Sequence, residues 1–176
     1  MMYLHKNKNR TNKQTMGEVE IREIRPDDNR EVARLIRRVL EEMGVPKVGT
    51  AYADKALEDM YTEYDVPGAT YFVVEEKGQI IGGSGIAKLQ DFQGPVCELQ
   101  KMYFLERARG RGIGSKMIGI CMDRAREYGF EQCYLETMPN MESAQILYKR
   151  NGFEPITAPM GNTGHFSCPV WMLKQL

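Results

Sequence analysis

The apolar positions of this chain change period several times, and each change marks an element. Over residues 18–24 they alternate with polar ones as in a half-buried strand, which Arg25-Pro26-Asp27-Asp28 interrupts. Val32, Leu35, Ile36, Val39 and Leu40 then recur at helical spacing, with Asp27 or Asp28 placed to cap the helix and Gly44 to stop it. Residues 52–64 predict a second helix, with Ala56, Leu57, Met60 and Tyr61 on one face. Strand period returns over 70–75 and 79–89 around the turn Glu76-Lys77-Gly78, and Gly82, Gly83 and Gly85 point to a bulge or a close backbone approach. A β-rich run over 96–105, an amphipathic helix over 112–128 and a strand over 132–138 make a βαβ unit, whose strands should be parallel and whose crossover right-handed. A shorter helix over 141–150, with Asn140 as its cap, precedes a strand near Phe153 and a last one over 170–173.

Composition narrows the class. With 42% hydrophobic and 27% charged residues in 176, the chain is expected to hold a polar tail over 1–16 and a single globular domain over 17–176. No apolar run approaches the roughly 20 residues of a membrane span. The opening MMYLHKNKNRTNKQT lacks the apolar stretch of a secretory signal. Cys97, Cys121, Cys133 and Cys168 form no CxxC pair, so reduced buried thiols, no metal site and a cytoplasmic location are expected. Lys6, Lys8, Arg10 and Lys13 make the first fifteen residues basic, as an interaction arm, a solvated tail or the product of a start upstream of Met16. The rest holds 20 basic against 24 acidic residues, a net charge of −4 that argues against a nucleic-acid surface.

The most informative stretch is Arg107-Ala108-Arg109-Gly110-Arg111-Gly112-Ile113-Gly114-Ser115-Lys116, where a strand gives way to a helix. Such a junction presents unpaired N–H groups at the positive end of a helix dipole, a place for phosphate. Glycines 110, 112 and 114 admit a close anion, and Arg109, Arg111 and Lys116 add charge. A dinucleotide fingerprint would need glycine at Ser115, and a P-loop would need a spacing that is not there.

Arg109-x-x-Gly112-x-Gly114 resembles the pyrophosphate motif of the GNAT superfamily, the GCN5-related N-acetyltransferases. The strand Glu98-Leu99-Gln100-Lys101-Met102-Tyr103-Phe104 before it, the helix after it, Tyr134-Leu135-Glu136-Thr137, Asn140 and Ala144-x-x-Leu147-Tyr148-x-x-x-Gly152-Phe153 follow in that family's order. Glu106 departs from it, standing where many members have proline. The resemblance implies an α/β (α+β) fold with a mixed, mostly antiparallel sheet, a central parallel βαβ unit and helices on both faces.

It also implies acetyl transfer from acetyl-CoA to a small or peptidic primary amine, and allows a homodimer. In such proteins Met102, Tyr103 and Phe104 would pair with the pantetheine arm, and Arg109 and Gly110 with Arg111, Gly112, Ile113, Gly114 and Ser115 would hold the pyrophosphate. Asn140 would bond the arm, Ala144 would face the cofactor, and Asn162 and His165, with Cys168, would contact the acceptor. An alkylammonium of pKa about 10.4 is deprotonated only about once in 2,500 molecules at pH 7, a deficit of roughly 4.6 kcal/mol. Glu98 resembles the family's glutamate base, with Glu136 as the alternative and pairing with Lys101 as the structural reading. Tyr148 resembles its general acid, or packs in an apolar stripe with Ala144 and Leu147. Two rival readings are an acyl-CoA-binding module with little catalysis and a nucleotide-binding protein.

Overall fold

The computed structural model describes residues 19–176, so the basic tail over 1–16 lies outside the described residues. Seven strands form one sheet: β1 (Val19–Glu23), β2 (Thr70–Glu76), β3 (Gln79–Lys88), β4 (Val96–Phe104), β5 (Gln132–Thr137), β6 (Glu154–Ile156) and β7 (Val170–Gln175). Their order is β1-β2-β3-β4-β5-β7-β6, and every neighbouring pair is antiparallel except β4 and β5. The helices are α1 (Asn29–Glu42), α2 (Met60–Tyr64), α3 (Ile113–Glu127) and α4 (Glu142–Arg150). The βαβ unit expected from the sequence is β4-α3-β5, and its two strands are parallel.

The continuous apolar run Tyr71-Phe72-Val73-Val74 is explained by burial on both faces of β2. Tyr71 and Val73 join Val32, Leu35, Ile36, Val39 and Leu40 of α1 in one core. Phe72 and Val74 join Met117, Ile118, Cys121 and Met122 of α3 in the other. Between β2 and β3 the turn is tight, with Lys77 at φ 53° and Gly78 at φ 73°, the left-handed pair that a two-residue hairpin demands. Cys97, Cys121 and Cys133 are buried free thiols and Cys168 is a half-buried one.

Two local expectations are corrected. Residues 52–64 do not form one helix: they break into 3-10 turns at Ala51–Ala53 and Lys55–Glu58, followed by α2. Asp54 and Asp59 cause the breaks, because their short carboxylates find better partners than a helix interior offers. The Asp59 carboxylate accepts the N–H of Thr62 at 3.1 Å and caps α2, while Asp54 is drawn to Lys101 and His165. Leu57 and Met60 are nevertheless buried and Ala56 and Tyr61 half-buried, so the apolar pattern identified a packed face but not its continuity. The second correction concerns α4, whose N-cap is Met141 rather than Asn140. The Asn140 amide donates instead to the Met43 carbonyl at 3.0 Å, tying the start of α4 to the end of α1.

Candidate active site

The site is built on a defect in the sheet. β4 and β5 pair only at Val96–Gln132, Cys97–Cys133 and Glu98–Tyr134, and beyond Glu98 the two strands part. A bulge accompanies the parting. The β3–β4 register shifts between Gly83 and Gly85, and Lys101 takes a φ of 47°, uncommon for a residue with a side chain. Two side chains hold the irregular backbone: the Tyr71 hydroxyl donates to the Lys101 carbonyl at 2.9 Å and Ser84 to that of Gln100 at 3.3 Å.

On one side of the gap lies a groove of about 530 Å³, walled by Val39 of α1 and Met43 just after it, Met102, Tyr103 and Phe104 of β4, and Ala144, Leu147 and Tyr148 of α4. Gly110, Gly112, Gly114 and Ser115 close one end. On the other side lies a cavity of about 640 Å³, lined by Asp54, Glu63, Tyr64, Glu98, Gln100, Lys101 and His165 among others. A small space of about 40 Å³ lies between them, sharing Met102, Tyr103, Met141 and Tyr148 with the groove and Lys101 with the cavity.

The cavity is rich in charge. Glu98 is 4% exposed and accepts a hydrogen bond from the Gln100 amide at 2.7 Å, while Gln100 accepts one from the Tyr64 hydroxyl at 2.7 Å. Burial raises the Glu98 pKa, and the Gln100 hydrogen bond opposes it only in part. Burial also works against ionisation of Asp54, but His165 and Lys101 overcome it and bring its pKa down to about 2. For His165 burial disfavours the charged ring, yet the Asp54 hydrogen bond prevails and its pKa is raised. Tyr148 is 7% exposed, burial lifts its pKa to about 12, and its hydroxyl has no hydrogen-bond partner among the described residues.

Against known proteins, residues 32–153 match the Acetyltransferase (GNAT) family, well over half of the chain. The chain belongs to that family. This acetyltransferase is 44% identical over 157 residues to the Escherichia coli (strain K12) protein named Uncharacterized N-acetyltransferase YjgM, covering 89% of this chain and 94% of that one. It is 29% identical over 110 residues to a protein of Azospirillum brasilense named IAA acetyltransferase, covering 62% and 70%. Among solved structures, a GNAT-family acetyltransferase of Staphylococcus aureus Mu50 superposes with a TM-score of 0.79 at 21% identity, over 90% of this chain and 99% of that one. The PaiA N-acetyltransferase of Thermoplasma acidophilum, solved in complex with coenzyme A, gives 0.71 at 15% identity, over 90% and 99%.

The acetyltransferase gathers most of the residues singled out from its sequence. Met102, Tyr103, Phe104, Arg109, Gly110, Gly112, Gly114, Ser115 and Ala144 line the groove. Ile113 is instead buried in the core under α3. Arg111 pairs with Glu76 at 2.8 Å, and Arg109 donates to the Phe104 carbonyl at 2.9 Å and lies 3.6 Å from Glu42. Those contacts engage both guanidinium groups with protein partners. Glu106 is exposed in a 3-10 turn, Glu106–Ala108.

Asn140 faces Met43, outside the groove lining. His165 lines the cavity, whereas Asn162 is exposed and its amide contacts Asp91 at 3.4 Å. Lys101 pairs with Asp54 at 2.9 Å rather than with Glu98. Gln100, Asp54 and Thr163 were not foreseen as site residues, since each gains its place only from contacts distant in sequence.

Two glycines shape the turn. Gly112, the N-cap of α3, has φ 76°, and at Gly114 a Cβ would stand 2.7 Å from Leu147 Cδ2, which is how closely α3 and α4 approach. Gly112→Ala is expected to lose about 1–2 kcal/mol of stability to left-handed strain. It should also raise the KM for acetyl-CoA more than it lowers kcat, as denaturant melts and initial-rate kinetics would read.

Proposed function

We propose that the protein transfers the acetyl group of acetyl-CoA directly to a primary amine, with both substrates bound at once. The donor lies in the groove between β4 and α4 and the amine in the cavity under Asp54 and His165. The observation that supports this most is the meeting of groove and cavity at the narrow space beside Tyr148, with Glu98 on the cavity side. The groove fits an elongated, amide-bearing arm: β4 beyond Glu98 has no strand partner on its β5 side, so its backbone is free to pair with one. The glycine turn at the head of α3 fits a pyrophosphate.

In this reading Glu98 takes the proton of the bound ammonium, directly or through a water, and the neutral nitrogen attacks the thioester carbonyl. The new C–N bond forms as the C–S bond breaks and Tyr148 gives its hydroxyl proton to the leaving thiolate; the second proton of the nitrogen passes through water to restore the phenol, and Glu98 releases the first to solvent. A raised pKa suits Glu98 to this work, because a carboxylate of ordinary acidity is a poor base for an amine.

The test is thermal stability with acetyl-CoA, CoA, ATP and NAD each in excess, followed by thiol-release assays on a panel of primary amines. Acetyl-CoA and CoA at about 100 times their Kd should add about 2.7 kcal/mol, with ATP and NAD adding nothing comparable. Stabilisation by CoA without turnover of any amine would favour the binding-module reading, and stabilisation by a nucleotide alone would sink both.

A further inference from the structure

We propose that Glu98, Glu136 and His165 form a divalent-cation site for Zn²⁺ in the floor of the acceptor cavity, through which the ion switches the enzyme off. One carboxylate oxygen of each glutamate and one ring nitrogen of the histidine lie within 4.8 Å of one another. A tetrahedral ion with bonds of about 2.1 Å places its ligand atoms about 3.4 Å apart, so modest side-chain rotations close the set.

Three observations point to a cation rather than to an ordinary polar cluster. Neither glutamate has a salt-bridge partner among the described residues, because the one buried lysine nearby, Lys101, is taken by Asp54. Two neighbouring carboxylates, one of them 4% exposed, therefore lie together beside an imidazole with no ion pair of their own among the described residues. Glu98 also keeps one oxygen, Oε1, without a hydrogen bond among the described residues, while Gln100 holds the other at 2.7 Å, and the residue lines the cavity.

Each of the three groups, moreover, has an outer partner that orients it. Glu136 accepts from the Tyr134 and Thr163 hydroxyls, both at 2.7 Å. His165 Nε2 lies 3.2 Å from each Asp54 oxygen. Donation of Nε2–H to Asp54 would leave Nδ1 as the nitrogen for the ion, the carboxylate–histidine arrangement that holds metal-binding imidazoles. Two carboxylates and one imidazole are a donor set that Zn²⁺ accepts, with at least one position left to water.

An ion there would occupy the carboxylate assigned above as the base and the space of the amine, so inhibition should be competitive with the amine. That consequence rests on the proposed function; the binding does not. Calorimetric titration of the full-length, tag-free protein with ZnCl₂ is expected to give one site, with Glu136→Gln and His165→Gln each weakening it tenfold or more while melting like the parent. Co²⁺ should give a visible absorption band that His165→Gln abolishes. No binding by the parent, or unchanged affinity in both variants, would overturn the site. Binding that follows the variants in a protein that acetylates no amine would keep the site and remove the proposed activity instead.

Discussion

Glu98→Gln is expected to lower kcat by about 10²- to 10⁴-fold and, unusually for the loss of a catalytic group, to make the protein more stable at neutral pH. The carboxyl is 4% exposed and has no basic side chain paired to it among the described residues, so its folded-state pKa is raised above an unfolded value of about 4.3. An acid so shifted contributes stability that is fully present below the unfolded pKa and is lost as pH rises through the folded one. Glutamine imitates the protonated form and can still accept the Gln100 hydrogen bond, so the variant avoids that loss. Its Tm should exceed that of the parent at pH 7 and converge with it near pH 4. The rate of the parent should rise with pH as Glu98 ionises, and the variant should lack that limb. A variant with full kcat would move the role of base to Glu136, 4.8 Å or less away.

Tyr148→Phe should cost about 10²-fold in kcat with the KM for acetyl-CoA and the Tm unchanged. The ring packs edge-on against Phe153 at 6.0 Å, a contact that phenylalanine keeps, and the hydroxyl has no protein partner to lose among the described residues. Because burial lifts the Tyr148 pKa to about 12, the phenol stays protonated through pH 7–10 and should cause no alkaline fall in rate over that range. Initial-rate kinetics across that range, with a melt of the same sample, separate the roles. Full activity in a stable variant would leave Tyr148 only its packing.

Periodicity carried most of the fold, since the stripes of α1 and α3 and the doubly buried β2 are decided by neighbours a few residues away. It failed where a polar side chain had a distant partner. Asp54 and Asn140 read locally as helix residue and helix cap, yet their hydrogen bonds run to His165 and Met43, across 111 and 97 residues. The candidate site divides in the same way. The glycine turn was legible because a strand–turn–helix junction is a local motif, and Glu98 and Tyr148 were legible through their order around it. Gln100, Thr163 and the Asp54–His165 pair were hidden, because only the folded sheet brings the 3-10 turns after α1 and the loop before β7 over the same strand.

The parting of β4 from β5 after Glu98 has a cost that sheets elsewhere are shaped to escape. An unpaired strand edge is a template for any other extended chain, and proteins blunt theirs with charge, bulges or cover. Here the bare edge points inward, beneath a roof made by the end of α1 and by α4, with Asn140 bound to Met43 on one flank and Arg109 beside Glu42 on the other. What would be an aggregation hazard on the surface is kept as a private slot.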